Sequence, residues 1–223
     1  MNIELLTDQI NDMEFMVGLG DIRRVCNKVS GFSAPYVMKM LNMAVRNMGP
    51  DEYYLEIGTH RGRTLIGSMI GNDKDAVAVD DFSQFGDGDV VRSNLLASIN
   101  EFNLEDRARF IEKESEAFLD EGGPHDIIGD RTAGVYFYDG NHDWDIALRN
   151  LQKGVPYLSD EAVIVLDDFS CPGVWRTVRS FMRLYPQETG ILFSMKTTDP
   201  PFPHDMWWNG IVIISWMGGN TEA

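Results

Sequence analysis

Apolar residues between Met1 and about Met48 recur at helical spacing, with Val37, Met40, Leu41, Ala44, Val45 and Met48 on one stripe. The Gly31-Phe32-Ser33-Ala34-Pro35 stretch reads as a break followed by a helix start. Past Gly49-Pro50 the texture changes to short apolar runs at residues 53–57, 76–79, 108–111, 135–138 and 162–166. Helical patterns lie between them, near residues 64–70, 90–102, 143–153 and 174–184. Strands alternating with helices of this length predict a parallel sheet with right-handed crossovers. Two last runs, 191–195 and 211–216, are joined by a loop without a helix, so they are expected to pair antiparallel at the sheet edge.

These elements predict a doubly wound, Rossmann-like α/β fold. Its sheet is seven-stranded and mostly parallel, with an antiparallel C-terminal hairpin. Residues 1–49 form an N-terminal helical extension and residues 50–223 the main domain. A chain of 223 residues is long enough for one such unit and its extension. The balance of 35 acids against 19 Lys and Arg gives a net charge of -16, which would repel polyanions. A nucleic-acid partner is therefore not expected, and a small neutral or cationic molecule suits the surface better. Cys26 and Cys171 form neither a CxxC pair nor a framework and read as reduced thiols. No basic leader with an apolar core and no long apolar run is present, so the expectation is a cytoplasmic protein without a membrane partner. Met38, Met40, Met43 and Met48 read as helix packing. The extension covers the site or forms a homo-oligomer interface, and the sequence leaves both open.

The first strand runs into Glu56-Ile57-Gly58-Thr59-His60-Arg61-Gly62-Arg63-Thr64, with two glycines in the turn before a helix. In an open α/β sheet ligands bind beyond the carboxyl ends of the strands. The spacing is G-x-x-x-G, and His60 stands where a dinucleotide fingerprint needs its second glycine, which disfavours pyrophosphate binding. Glu56 before the turn suits a ligand carrying a positive amine. Asp80 ends the second strand, where a carboxylate can accept both ribose hydroxyls of an adenosine. The fourth strand delivers Asp139 and, after Gly140, His142 to the same edge. The fifth ends in Asp167-Asp168. Three carboxylates on adjacent strand ends, Asp139, Asp167 and Asp168, suit Mg²⁺ or another divalent cation.

The order E-x-G-x-x-x-G followed by a terminal acid, together with the terminal hairpin, resembles the class I S-adenosylmethionine-dependent methyltransferases. The D-G-x-H-x-W run with Asp167-Asp168-Phe169 downstream resembles a bacterial group containing sugar O-methyltransferases of antibiotic biosynthesis and the cephalosporin-biosynthesis methylation protein. That resemblance implies S-adenosylmethionine held by Glu56, Gly58, Thr59, Gly62, Thr64, Asp80 and Asp139, with Glu114 and Ser115 flanking the adenine. Ser115 onward also reads as an ordinary helix start. The implied reaction is O-methylation of a small-molecule hydroxyl, in which His142 and Asp139 are the candidate catalytic residues and the metal assists. An imidazole near its ordinary pKa accepts the hydroxyl proton, or a cation lowers the hydroxyl's pKa. Trp207 and Trp208, between the last two strands, offer flat surface for a sugar or aromatic acceptor. The rival readings are a nicotinamide-dependent oxidoreductase, against which the missing fingerprint argues, and a non-catalytic binding protein on the same fold.

Overall fold

The helices of the extension start where local chemistry favours them. Asn2 caps α1 (Ile3–Asn11) by accepting a hydrogen bond from the Leu5 amide. After α2 (Gly20–Lys28), Pro35 opens α3 (Pro35–Arg46) at a position where a missing N–H costs nothing. Strands and helices then alternate: β1 (Glu52–Ile57), α4 (Arg63–Met69), β2 (Asp75–Asp80), α5 (Gly88–Glu101), β3 (Ala108–Glu112), α6 (Ser115–Asp120) and α7 (His125–Ile128). They continue as β4 (Thr132–Tyr138), α8 (Trp144–Gly154), β5 (Leu158–Asp167), α9 (Pro172–Leu184), β6 (Thr189–Met195) and β7 (Ile211–Met217). This computed structural model describes residues 1–84, 86–197 and 207–218. Helices α6 and α7, of 6 and 4 residues, are too short for periodicity to announce, beyond the helix start read at Ser115.

The seven strands form one sheet in the order β3-β2-β1-β4-β5-β7-β6. Strands β1 to β5 pair in parallel. β7 runs antiparallel to both β5 and β6, so it enters the sheet between them and leaves β6 at the edge. Burial accounts for that order: Ile211, Val212, Ile213 and Ile214 are almost fully covered, whereas β6 is partly exposed along its length.

Successive strand residues face opposite sides. Tyr54, Ala78, Val135 and Val163 pack with residues of α1 to α5, among them Leu6, Leu41, Leu65 and Leu95. Leu55, Val79, Tyr136 and Ile164 pack with residues of α6, α8 and α9, among them Phe118, Leu151 and Phe181. The extension thus shares one core with the sheet. Met38, Met40, Met43 and Met48 are buried in that core, as their spacing predicts. Cys26 and Cys171 are free thiols. No helix among the described residues is long and apolar enough to cross a membrane. The strand order reverses between β1 and β4, which opens a crevice beyond their carboxyl ends.

Candidate active site

The turn after β1 is left-handed at Gly58 (φ 90°), His60 (φ 49°) and Gly62 (φ 82°). A Cβ on Gly58 would lie 2.1 Å from the Asp139 carbonyl oxygen, so the close approach of β1 to β4 requires glycine. The Gly58 amide donates to Val79 O and the Asp139 amide to Ile57 O, both at 2.9 Å, stitching three strand tips together. Glu56 departs from its expected place at the ligand. It shares a strand face with Tyr54, beneath α4, where its carboxyl accepts from the Tyr54 hydroxyl at 2.5 Å and the Thr64 hydroxyl at 2.8 Å. Complete burial pushes its pKa up to about 8 against the opposing pull of those two hydrogen bonds, so Glu56 is neutral at pH 7. It braces the turn from below.

At the tip of β2, Asp80 Oδ2 accepts from the His60 amide and Oδ1 from the Phe82 amide, each at 2.7 Å. A carboxylate offers about four lone-pair sites, so two remain for a ligand. Glu114 caps α6, accepting from the Glu116 and Ala117 amides at 3.0 and 2.7 Å, and the helix-start reading of this segment holds. Glu114 and Ser115 nevertheless line the same cavity as Asp80.

Beyond β4, the Tyr138 hydroxyl donates to Asn141 O at 2.9 Å and the Asp143 amide to Asn141 Oδ1 at 2.7 Å, which shapes the turn carrying His142. α9 presses on that turn so closely that a Cβ on Gly173 would lie 2.0 Å from His142 O. Asp168 adopts φ 52°, a conformation that residues with a Cβ seldom hold, and its Oδ2 lies 3.0 Å from His142 Nε2. Asp139 Oδ1 is 4.0 Å from the same nitrogen. The Asp139 and Asp168 carboxylates beside it push His142 up to about 10. Burial raises Asp139 to about 6, with the nearby His142 opposing. The cluster titrates as a unit, and the raised values mean that it retains a proton near pH 7. Donor atoms of Asp139, His142 and Asp168 fall within 4.8 Å of one another, close enough to share a divalent cation. The expected set contained Asp167 in place of His142. Asp167 is buried, accepts the Asp168 amide at 3.0 Å and is raised well above the usual carboxylate range by burial and by Asp139, but it stands outside that group.

One cavity of about 750 Å³ runs over all these tips, within the usual range for small-molecule sites. The extension and the β6–β7 connection complete its wall through Phe32 and Ser33, and through Trp208 and Asn209. Arg63 ties the extension down: its guanidinium donates to Cys26 O in the last turn of α2 at 3.3 Å, to the cap Val29 O at 2.8 Å and to Ser33 O in the following loop at 3.2 Å. Phe32 stacks on His60, with centroids 5.3 Å apart and planes 10° off parallel, and meets Trp208 at 6.0 Å and 45°. Trp207 instead packs among Phe15, Tyr36 and Phe193. The remainder of that connection, residues 198–206, lies outside the described residues. Four buried polar atoms on the wall have no hydrogen-bond partner among the described residues: Ser33 Oγ, Thr59 Oγ1, Arg61 Nε and Asp168 Oδ1. Each unpaired buried atom costs about 1–3 kcal/mol, a cost that a ligand's own polar groups would relieve.

Of the residues singled out from sequence, Gly58, Thr59, Thr64, Asp80, Glu114, Ser115, Asp139, His142, Asp167 and Asp168 line this cavity. Gly62 shapes the turn without lining it, since a Cβ there would meet Leu95 Cδ1 at 2.5 Å. Phe32, Ser33 and Arg61 were not foreseen as wall residues. An aromatic ring inside a Gly-Phe-Ser break, where a loop usually carries small polar residues, was the available signal for the first.

The sequence matches the family described as Methyltransferase domain over residues 55–169, just over half of the chain. No curated protein sequence matches it. Among solved structures, an O-methyltransferase from Bacillus cereus in complex with SAH superposes with a TM-score of 0.63 at 15% identity, covering 89% of this chain and 90% of that one. A putative O-methyltransferase from Klebsiella pneumoniae gives 0.62 at 15% identity, over 94% and 95% of the two chains. An O-methyltransferase from Streptomyces achromogenes involved in tomaymycin synthesis, in complex with SAM, gives 0.61 at 16% identity, over 85% and 82%. At such identities these likenesses speak for the fold.

Proposed function

The chain belongs to the methyltransferase family that this match defines, and from that membership we propose that it transfers a methyl group from S-adenosylmethionine to a hydroxyl oxygen of a small molecule. The observation that carries the reading is the gathering of unpaired buried polar atoms on one cavity, at the point where the strand order reverses. S-adenosylmethionine supplies a sulfonium methyl group that an oxygen nucleophile takes by in-line displacement. The remaining lone pairs of Asp80 suit ribose hydroxyls. Gly58, Thr59 and Thr64 border the amino-acid end, and Arg61, whose buried Nε has no partner among the described residues, answers its carboxylate. Glu114 and Ser115 flank the base.

The acceptor hydroxyl has to lose its proton as the new bond forms. His142 with the adjoining Asp139 and Asp168 carboxylates is placed to take that proton, which the imidazole and carboxylates share between them. The donor set of two carboxylates and one imidazole also fits a divalent cation, and the unpaired Asp168 Oδ1 favours one. Such a cation would displace the proton from His142 and lower the pKa of a coordinated hydroxyl. The net charge of -16 is consistent with a small molecule as acceptor.

Calorimetric titration of metal-stripped protein with S-adenosylmethionine and with NADH, repeated with Mg²⁺ and with Asp80→Asn, tests this reading. Binding of S-adenosylmethionine alone, weakened at least ~10-fold by Asp80→Asn, is the expected result. Binding of NADH, or of neither, would overturn it in favour of an oxidoreductase or a non-catalytic protein.

A further inference from the structure

How the turn after β1 can receive a negative group depends on where its amides point. Gly58 N donates to Val79 O at 2.9 Å, His60 N to Asp80 Oδ2 at 2.7 Å and Gly62 N to Thr59 O at 2.8 Å. A loop that cradles phosphate turns such amides toward the ligand. With these three spent inside the protein, an anion entering this end of the cavity relies on side chains.

Three side chains are placed to meet it. Thr59 and Ser33 are 2% and 7% exposed, and neither Thr59 Oγ1 nor Ser33 Oγ has a hydrogen-bond partner among the described residues. The buried Arg61 Nε is in the same position. Each of these groups can donate, and all three residues line the one cavity. The other Arg and Lys side chains on the wall are committed elsewhere, Arg63 to carbonyls of the extension and Lys113 to Glu121. Ser33 lies outside the residues that match the family, 55–169, yet it is held against the turn. Its carbonyl accepts from Arg63 at 3.2 Å, and a Cβ on Gly31 would come within 2.8 Å of Arg63 Cβ. The residue is thus in place before a ligand arrives, which lowers the entropic cost of engaging it. In a chain of net charge -16, two idle hydroxyls beside a guanidinium mark a local seat for an anion. A carboxylate fits it, since its two oxygens offer about four lone-pair sites and accept charge-assisted bonds from Arg.

We propose that Ser33 binds the methyl donor, its hydroxyl completing with Thr59 and Arg61 a side-chain seat for the carboxylate of S-adenosylmethionine. This inference rests on the methyl-transfer reading, to which it adds a donor-holding group from the extension. Whatever the α2–α3 loop contributes to holding the donor, the bound donor returns to holding the loop.

The test is calorimetric titration with S-adenosylhomocysteine and with decarboxylated S-adenosylhomocysteine, the same molecule without its carboxylate. The parent protein should bind the first at least ~10-fold tighter than the second. Ser33→Ala should weaken S-adenosylhomocysteine about 5–10-fold while leaving the decarboxylated analogue within about twofold, so the analogue also reports that the variant is folded. Arg61→Gln, an independent change on the other side of the seat, should narrow the gap between the two ligands by at least ~10-fold. Unchanged S-adenosylhomocysteine affinity in Ser33→Ala, equal weakening of both ligands in that variant, or a parent protein that does not distinguish them would overturn the proposal. Failure of both ligands to bind the parent protein would overturn the methyl-donor reading, and the proposal with it.

Discussion

Replacing Glu56 with glutamine should remove its own share of the stability loss that the parent protein suffers as pH rises from 5 to 8. The folded protein keeps the Glu56 proton up to about pH 8, because full burial beneath α4 disfavours the carboxylate. An unfolded chain releases it near pH 4.3 (roughly the ordinary glutamate value). Between those limits the folded state binds a proton that the unfolded state does not, so stability falls with increasing pH across the window. One pKa unit corresponds to about 1.4 kcal/mol, which puts the total at about 3–5 kcal/mol, a large part of the ~5–15 kcal/mol of a typical domain. Glutamine has the same shape and can still accept from Thr64, but it has no proton to release. Urea unfolding followed by tryptophan fluorescence at pH 5.5, 6.5, 7.5 and 8.5 measures both proteins. Asp139 and Asp167, which are also raised by burial, act in both and largely cancel in the difference. Parallel stability curves for parent and variant would refute the claim that Glu56 is protonated in the fold.

Two further substitutions probe the cavity. Gly58→Ala should lower stability by at least ~2 kcal/mol and abolish S-adenosylmethionine binding, whereas Gly71→Ala, also left-handed but with nothing within 4 Å, should cost only about 1 kcal/mol; equal losses in thermal melting would contradict the contact with Asp139 O. His142→Gln should keep S-adenosylmethionine affinity within about twofold while slowing methyl transfer ~100-fold or more, and an unchanged single-turnover rate would remove His142 from the chemistry.

Most of the sheet was legible because its strands carry compact apolar runs: the 53–57 and 135–138 segments sit inside β1 and β4, and α4, α5, α8 and α9 lie within two residues of their expected bounds. The position of β7 inside the sheet was not legible, since the loop between the last two strands implies that they pair and not which of them meets β5. Around the site, the carboxylates at strand tips were visible as residue types in the right places. Their partners depended on backbone detail. Asp168 faces His142 from a left-handed conformation that its residue type does not announce, and so His142 joins the group that was expected to include Asp167. Glu56 was assigned to the ligand from its place beside the glycine turn, although the two-residue period of β1 puts it on the face of Tyr54. Phe32 reaches the cavity only through the Arg63 clamp, a long-range contact that spacing along the chain cannot reveal.

The place of β7 also bears on how the chain is made. During synthesis β5 leaves the ribosome well before its neighbour, since Leu166 waits for Val212 and Glu161 for Met217. Throughout that interval β5 shows a bare row of amides and carbonyls beside the apolar stretch Val163, Ile164, Val165 and Leu166, a ready template for the same strand in another nascent chain. Translation speed over the stretch between β5 and β7, and chaperone supply while it is read, would therefore bear on the yield of well-formed protein.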